Sequence, residues 1–218
     1  MSATTAIVGD SYVRRLRDFC MERGAPHLNI ASERIIYFGL GGATIRGPKA
    51  ILPLLTQAVR MRCVQTFVIH VGSNDLCDAS RSPDEVVEDL VRLARYVLAK
   101  NDTVRVHICQ ISQRRKLPHP SFNRRVRRVN RMLRRAVKGI PRMHFARFSG
   151  LEHPPRNHFV DDGVHYNSKG LAKLQRGIRG ILLRSNKPPR LAPGLHASTD
   201  ERQRVPPSVS VPCASTAL

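Results

Sequence analysis

A chain of 218 residues, 41% of them hydrophobic, is long enough for one domain with a real core. Lys and Arg number 37 against 16 Asp and Glu, a net charge of +21 in which 30 of the 37 are Arg, so any macromolecular partner read from charge alone is polyanionic. No apolar run approaches the roughly 18–20 residues that span a bilayer, there is no internal repeat, and the N-terminus enters a first strand with no room for a signal peptide.

In chain order, residues 5–8 form a short apolar, β-branched run, read as a strand, and 12–23 follow as a helix. A second helix is expected over 51–61 and a second strand over 66–71. Ser82-Pro83-Asp84-Glu85 is a helix-start signature: a Ser N-cap, Pro at the first helical position and Glu three on from the cap. Val86, Val87, Leu90, Leu93, Ala94, Val97 and Leu98 continue it at helical spacing. Strands over 104–111 and 143–148 bracket a basic helix, and a last helix covers 171–183. This alternation predicts a three-layer α/β/α sandwich, flavodoxin-like, on a mostly parallel sheet. Sites in such sheets lie at the carboxyl ends of strands. From Ser185 onward the chain is rich in Pro, Ser, Ala and Arg without periodicity, so we divide it into a folded domain, 1–184, and a disordered tail, 185–218.

The chemistry-bearing blocks sit at the strand ends. Gly9-Asp10-Ser11 follows the first strand, and Asp162-Gly163-Val164-His165 stands near the far end of the domain. A serine hydroxyl needs an imidazole to take its proton and a carboxylate to fix that imidazole's tautomer. The i, i+3 relation of Asp162 to His165 suits a turn in which the carboxylate accepts from Nδ1–H and leaves Nε2 for Ser11. Asp161 is a rival without that spacing. Between these ends lie Gly39-Leu40-Gly41-Gly42-Ala43-Thr44 and Gly72-Ser73-Asn74-Asp75.

Four blocks in this order resemble the SGNH (GDSL-type) hydrolases, and the resemblance spans about residues 4–184. It implies an α/β sandwich and a serine esterase acting on a small acyl ester without cofactor or metal. Ser11 would be the nucleophile, His165 the base and then acid, and Asp162 its partner. Gly42 N–H, the Asn74 amide and Ser11 N–H would form the oxyanion hole. One departure is Tyr12, where the family's short name has Leu; its position after the nucleophile bears on the shape of the acyl pocket. Other glycine motifs fail. Gly39-x-Gly41-x-x-Thr44 lacks the last glycine of a dinucleotide fingerprint, Gly42-x-x-x-x-Gly47-Pro48-Lys49 puts Pro where a phosphate loop needs Lys, and no G-x-S-x-G elbow surrounds Ser11.

Residues 114–142 hold twelve Lys and Arg and no acid. At about 100° per residue, Phe122, Val126, Val129, Leu133 and Val137 share one face and arginines fill the other. Arg124, Arg125, Arg127, Arg128, Arg131, Arg134 and Arg135 are therefore either solvated surface or a seat for nucleic acid or another polyanion. An Arg-rich domain of this kind is also similar to SGNH-like domains in the first reading frames of some animal retroelements. Esterase and basic binding module remain two readings. His70, within a strand, is expected to be a satisfied core or rim histidine. His153 and His158 have no acid or thiol at ligand spacing, so no metal site is assigned. Five cysteines, an odd number without metal-type spacing, read as reduced thiols in a cytoplasmic or nuclear protein, or in a domain cut from a longer chain.

Overall fold

A computed structural model describes residues 3–185. Five parallel strands, β1 (Ala3–Gly9), β2 (Glu33–Gly39), β3 (Thr66–His70), β4 (Arg105–Cys109) and β5 (Met143–Ala146), form one sheet in the order β2-β1-β3-β4-β5. The helices are α1 (Ser11–Glu22), α2 (Leu52–Arg60), α3 (Pro83–Leu98), α4 (Phe122–Ala136) and α5 (Ser168–Ser185).

Both faces of the sheet are covered, which is why its inner strands are continuous apolar runs. Successive strand side chains point to opposite faces. Ala6, Val8, Phe67, Ile69, Val106 and Ile108 pack with α2, α3 and α4, whereas Ile7, Val68 and Cys109 pack with α1 and α5. The chain is thus an α/β/α sandwich. Ser82 caps α3 as expected: its hydroxyl accepts from Glu85 N at 3.2 Å, and Glu85 Oε2 accepts from Ser82 N at 2.6 Å.

The sequence pattern missed β2. It is an edge strand, half-buried along most of its length and opening on Glu33-Arg34, so it lacks the apolar signature of its neighbours. The basic helix is also shorter than the basic run: residues 114–121 form the loop that leads into α4. The last helix extends through Ser185, and the rest of the expected tail lies outside the described residues. No helix among the described residues is long and apolar enough to cross a membrane.

Register places the site. Gly9 pairs with Gly39 on one side and His70 on the other, so β1, β2 and β3 end level. The segments carrying Ser11, Gly42 and Asn74 therefore leave the sheet along one carboxyl edge.

Candidate active site

Asp10 caps α1, its Oδ1 accepting from Tyr12 N at 2.9 Å, and this leaves Ser11 as the first helical residue. Its backbone N–H belongs to the first turn, where no intrahelical acceptor exists. Ser11 is 9% exposed, so its hydroxyl lies at the floor of the edge rather than on open surface.

His165 Nε2 is 2.9 Å from Ser11 Oγ, and its Nδ1 is 2.6 Å from Asp162 Oδ2. The other carboxylate oxygen, Asp162 Oδ1, accepts from Val164 N at 2.7 Å and from His165 N at 2.8 Å. One carboxylate thus folds the turn and orients the ring it carries. Burial works to raise the Asp162 carboxyl, but the His165 side chain and these two amides outweigh it and hold it down at about 2. Asp162 is accordingly ionised throughout the neutral range. Because its folded value lies below its unfolded one, it stabilises the turn at neutral pH, and that contribution is lost only as pH falls toward 2. Gly163 (φ +65°) makes the bend, and a Cβ there would meet Lys116 N at 2.9 Å. The Gly163 carbonyl accepts from Arg115 N at 2.8 Å and Lys116 N at 2.9 Å.

The loop after β2 is fastened by consecutive residues of the Gly72-Ser73-Asn74-Asp75 block. Asn74 Nδ2 donates to Ala43 O at 2.9 Å, and the Asp75 carboxylate accepts from Ile45 N at 3.0 Å. Gly42, between them and Gly41, sits at φ +73°, a left-handed conformation that favours glycine. Arg114 fixes Asn74 in turn: Nη2 donates to Asn74 Oδ1 at 2.8 Å, Nε to Ser73 Oγ at 3.1 Å, and the guanidinium lies 5.0 Å above the Phe122 ring. With its oxygen held, the Asn74 amide can present only Nδ2, its donor, toward the Gly42 loop.

Residues 4–173 match the GDSL-like lipase/acylhydrolase family. The chain belongs to this family. No curated protein sequence matches it. Among solved structures, it is similar to a carbohydrate esterase family 3 protein from Talaromyces cellulolyticus (16% identity, TM-score 0.64, 84% of this chain and 97% of that one). It is also similar to a carbohydrate acetylesterase from Sinorhizobium meliloti (14%, 0.64, 84% and 100%) and to a GDSL-like lipase from Bacteroides thetaiotaomicron (16%, 0.63, 84% and 88%). At these identities the likeness is one of fold.

Within this acylhydrolase fold, Tyr12 departs from the sequence expectation. It does not lie open to a pocket: it is buried, and its hydroxyl donates to the Val164 carbonyl beneath the Asp162–His165 turn. Burial pushes the phenol's pKa well up, so it is a neutral donor there. The contacts of Tyr12, Asp75 and Arg114 that hold these segments together are ones that sequence reasoning missed. His70 is in the core as expected, stacked on Phe148, but it is not fully satisfied, because its Nδ1 has no hydrogen-bond partner.

The basic helix buries Phe122, Val126, Val129 and Leu133, with Val137 at its cap. Its outer face is less uniform than the sequence implied. Arg125 turns inward to the carbonyls of Asp78, at 3.0 Å, and Arg81, and Arg128 pairs with Asp84 of α3 at 3.1 Å. Arg124, Arg127, Arg131, Arg134 and Arg135 are exposed. Having Asp84 and the loop carbonyls within reach explains the difference, since neither neighbour follows from helical spacing.

Proposed function

We propose that the protein is a serine carboxylic-ester hydrolase. The observation that carries this is the unbroken chain from Ser11 Oγ through His165 to Asp162, with links of 2.9 and 2.6 Å, at the strand edge of an acylhydrolase fold. Ser11 Oγ attacks the ester carbonyl while His165 Nε2 takes its proton, and the resulting imidazolium is held by Asp162. The oxyanion of the tetrahedral intermediate is met by Ser11 N–H, Gly42 N–H and Asn74 Nδ2. Collapse releases the alcohol, which receives the proton from His165. Water then enters, His165 takes its proton, and the acid leaves as Ser11 regains its hydrogen. No step draws on a cofactor. The wild-type protein should therefore turn over p-nitrophenyl acetate at a rate indifferent to EDTA, and a protein with no turnover would contradict the proposal.

The Asn74 assignment has its own test. Asn74→Ala removes one fixed donor and should lower kcat by about 10²–10³ with little change in KM. A loss confined to KM would assign Asn74 to ground-state binding instead.

A second reading, association with nucleic acid or another polyanion, is favoured by the exposed arginines of α4. Replacing Arg124, Arg131, Arg134 and Arg135 by Gln keeps good helix formers on a solvent face. If those arginines neutralise phosphates, the slope of log K against log salt for duplex DNA should become shallower by up to about 3–4. An unaltered slope would leave the face as solvated surface.

A further inference from the structure

Beside the catalytic turn lies a cavity of about 480 Å³ whose walls are Gln113, Arg114 and Arg115 from the loop after β4, Asn123 of α4, and the 153–159 loop with His153 and Arg156. It shares two walls with the site. Arg114 holds Asn74, and the Arg115 main chain holds Gly163. No Asp or Glu among the described residues lines it, and the Arg115 and Arg156 guanidinia are exposed and have no ion-pair partner there.

High net charge alone does not account for this. The cavity beside α2 and α3 also has arginines, Arg46 and Arg92, but both bind the Asp89 carboxylate that lines it with them. The cavity under β2 is lined by Glu33 as well as by Arg34. A neighbouring groove of about 240 Å³, which shares Gln113 and His153 with the catalytic-side cavity, pairs Arg147 with Glu152. Each of these places is lined by a carboxylate, whereas the cavity against the Asp162–His165 turn is lined by none. Guanidinium groups gathered without a carboxylate repel one another, and a bound anion relieves that repulsion through charge-assisted hydrogen bonds.

Resting on the acyl-transfer reading above, we propose that the ester cleaved here carries a phosphate group on its alcohol portion, seated between Arg115 and Arg156. The chemistry at Ser11 is unaltered: the acyl carbon–alkoxy oxygen bond breaks, the phosphorylated alcohol leaves with the proton from His165, and the phosphate itself does not react. Arg114, whose donors are committed to Ser73, Cys77 and Asn74, adds charge rather than a direct bond.

The test compares 1-acetylglycerol 3-phosphate with 1-acetylglycerol as substrates of the full chain, alongside calorimetric titration with glycerol 3-phosphate. The wild type should favour the phosphorylated ester by about 10–100-fold in kcat/KM, as expected for hydrogen bonds to a charged group. That preference should shrink as salt is raised. Arg115→Gln with Arg156→Gln should bring the ratio close to one and weaken glycerol 3-phosphate binding. A charge-matched control at the far end of the sheet, Arg60→Gln with Arg62→Gln, should keep both, and unfolding midpoints check that each variant is folded. Equal kcat/KM for the two wild-type substrates, or a control that loses the preference as fully as the cavity variant, would overturn the proposal. Glycerol 3-phosphate binding that depends on Arg115 and Arg156, with neither ester cleaved, would support the cavity and refute the triad, so the two failures are distinguishable.

Discussion

Ser11→Ala should reduce p-nitrophenyl acetate hydrolysis by about 10⁴–10⁶ and leave the protein folded. The loss is large because the imidazole of His165 is aimed at Oγ, 2.9 Å away. The fold should survive because Ser11 is not the cap of α1. Asp10 performs that role through Tyr12 N, and alanine is a good residue at the first helical position. What Ser11→Ala gives up in stability is one hydrogen bond, worth about 1 kcal/mol. His165→Ala should cost as much in rate as Ser11→Ala, and the double variant scarcely more, since the two act as one unit. Additive losses in the double variant would show that they work independently.

Asp162→Asn should lower kcat by about 10⁴ while preserving the turn. The two oxygens of Asp162 have separate duties. Oδ1 accepts from the Val164 and His165 amides, a task that an Asn oxygen performs equally well. The Asn NH2 must then face His165 Nδ1, which becomes an acceptor, and the ring proton moves to Nε2. A protonated Nε2 confronts the Ser11 hydroxyl as a donor and cannot take its hydrogen. Asp162→Ala, by contrast, removes both duties and should also loosen the turn. The check is kcat and the unfolding midpoint measured side by side. An Asn variant that retains most of its activity would assign Asp162 to the fold alone.

Much of this geometry was legible in the sequence, and the reasons are local. The i, i+3 spacing of Asp162 and His165 encodes a turn-borne pair, and Gly9-Asp10-Ser11 follows a run buried on both faces, whose signal is strong. Ser82 to Glu85 states its capping box in four letters. What stayed hidden depends on contacts between distant segments. Arg114 reads as one more arginine in a basic run, yet it reaches Ser73, Asn74 and Cys77 of the block after β3. Asp75 reads as the end of a motif, yet it clamps Ile45, and burial pushes its carboxyl up against the pull of that amide and of Arg81. Tyr12 looked like a pocket residue because it follows the nucleophile. A helix turns about 100° between neighbours, however, and that rotation carries Tyr12 into the core under Val164. The edge strand β2 escaped because half-buried strands carry weak alternation, and here it opens on charges.

The central claim is that Ser11 is an activated nucleophile. Its most direct test is to label the protein with a fluorophosphonate, which forms a covalent bond only with a hydroxyl activated by a neighbouring base, and to map the adduct by peptide mass spectrometry. A single adduct on Ser11, absent from Ser11→Ala and from His165→Ala, is the predicted result. An unlabelled wild-type protein, or an adduct that persists at another residue in Ser11→Ala, would contradict it.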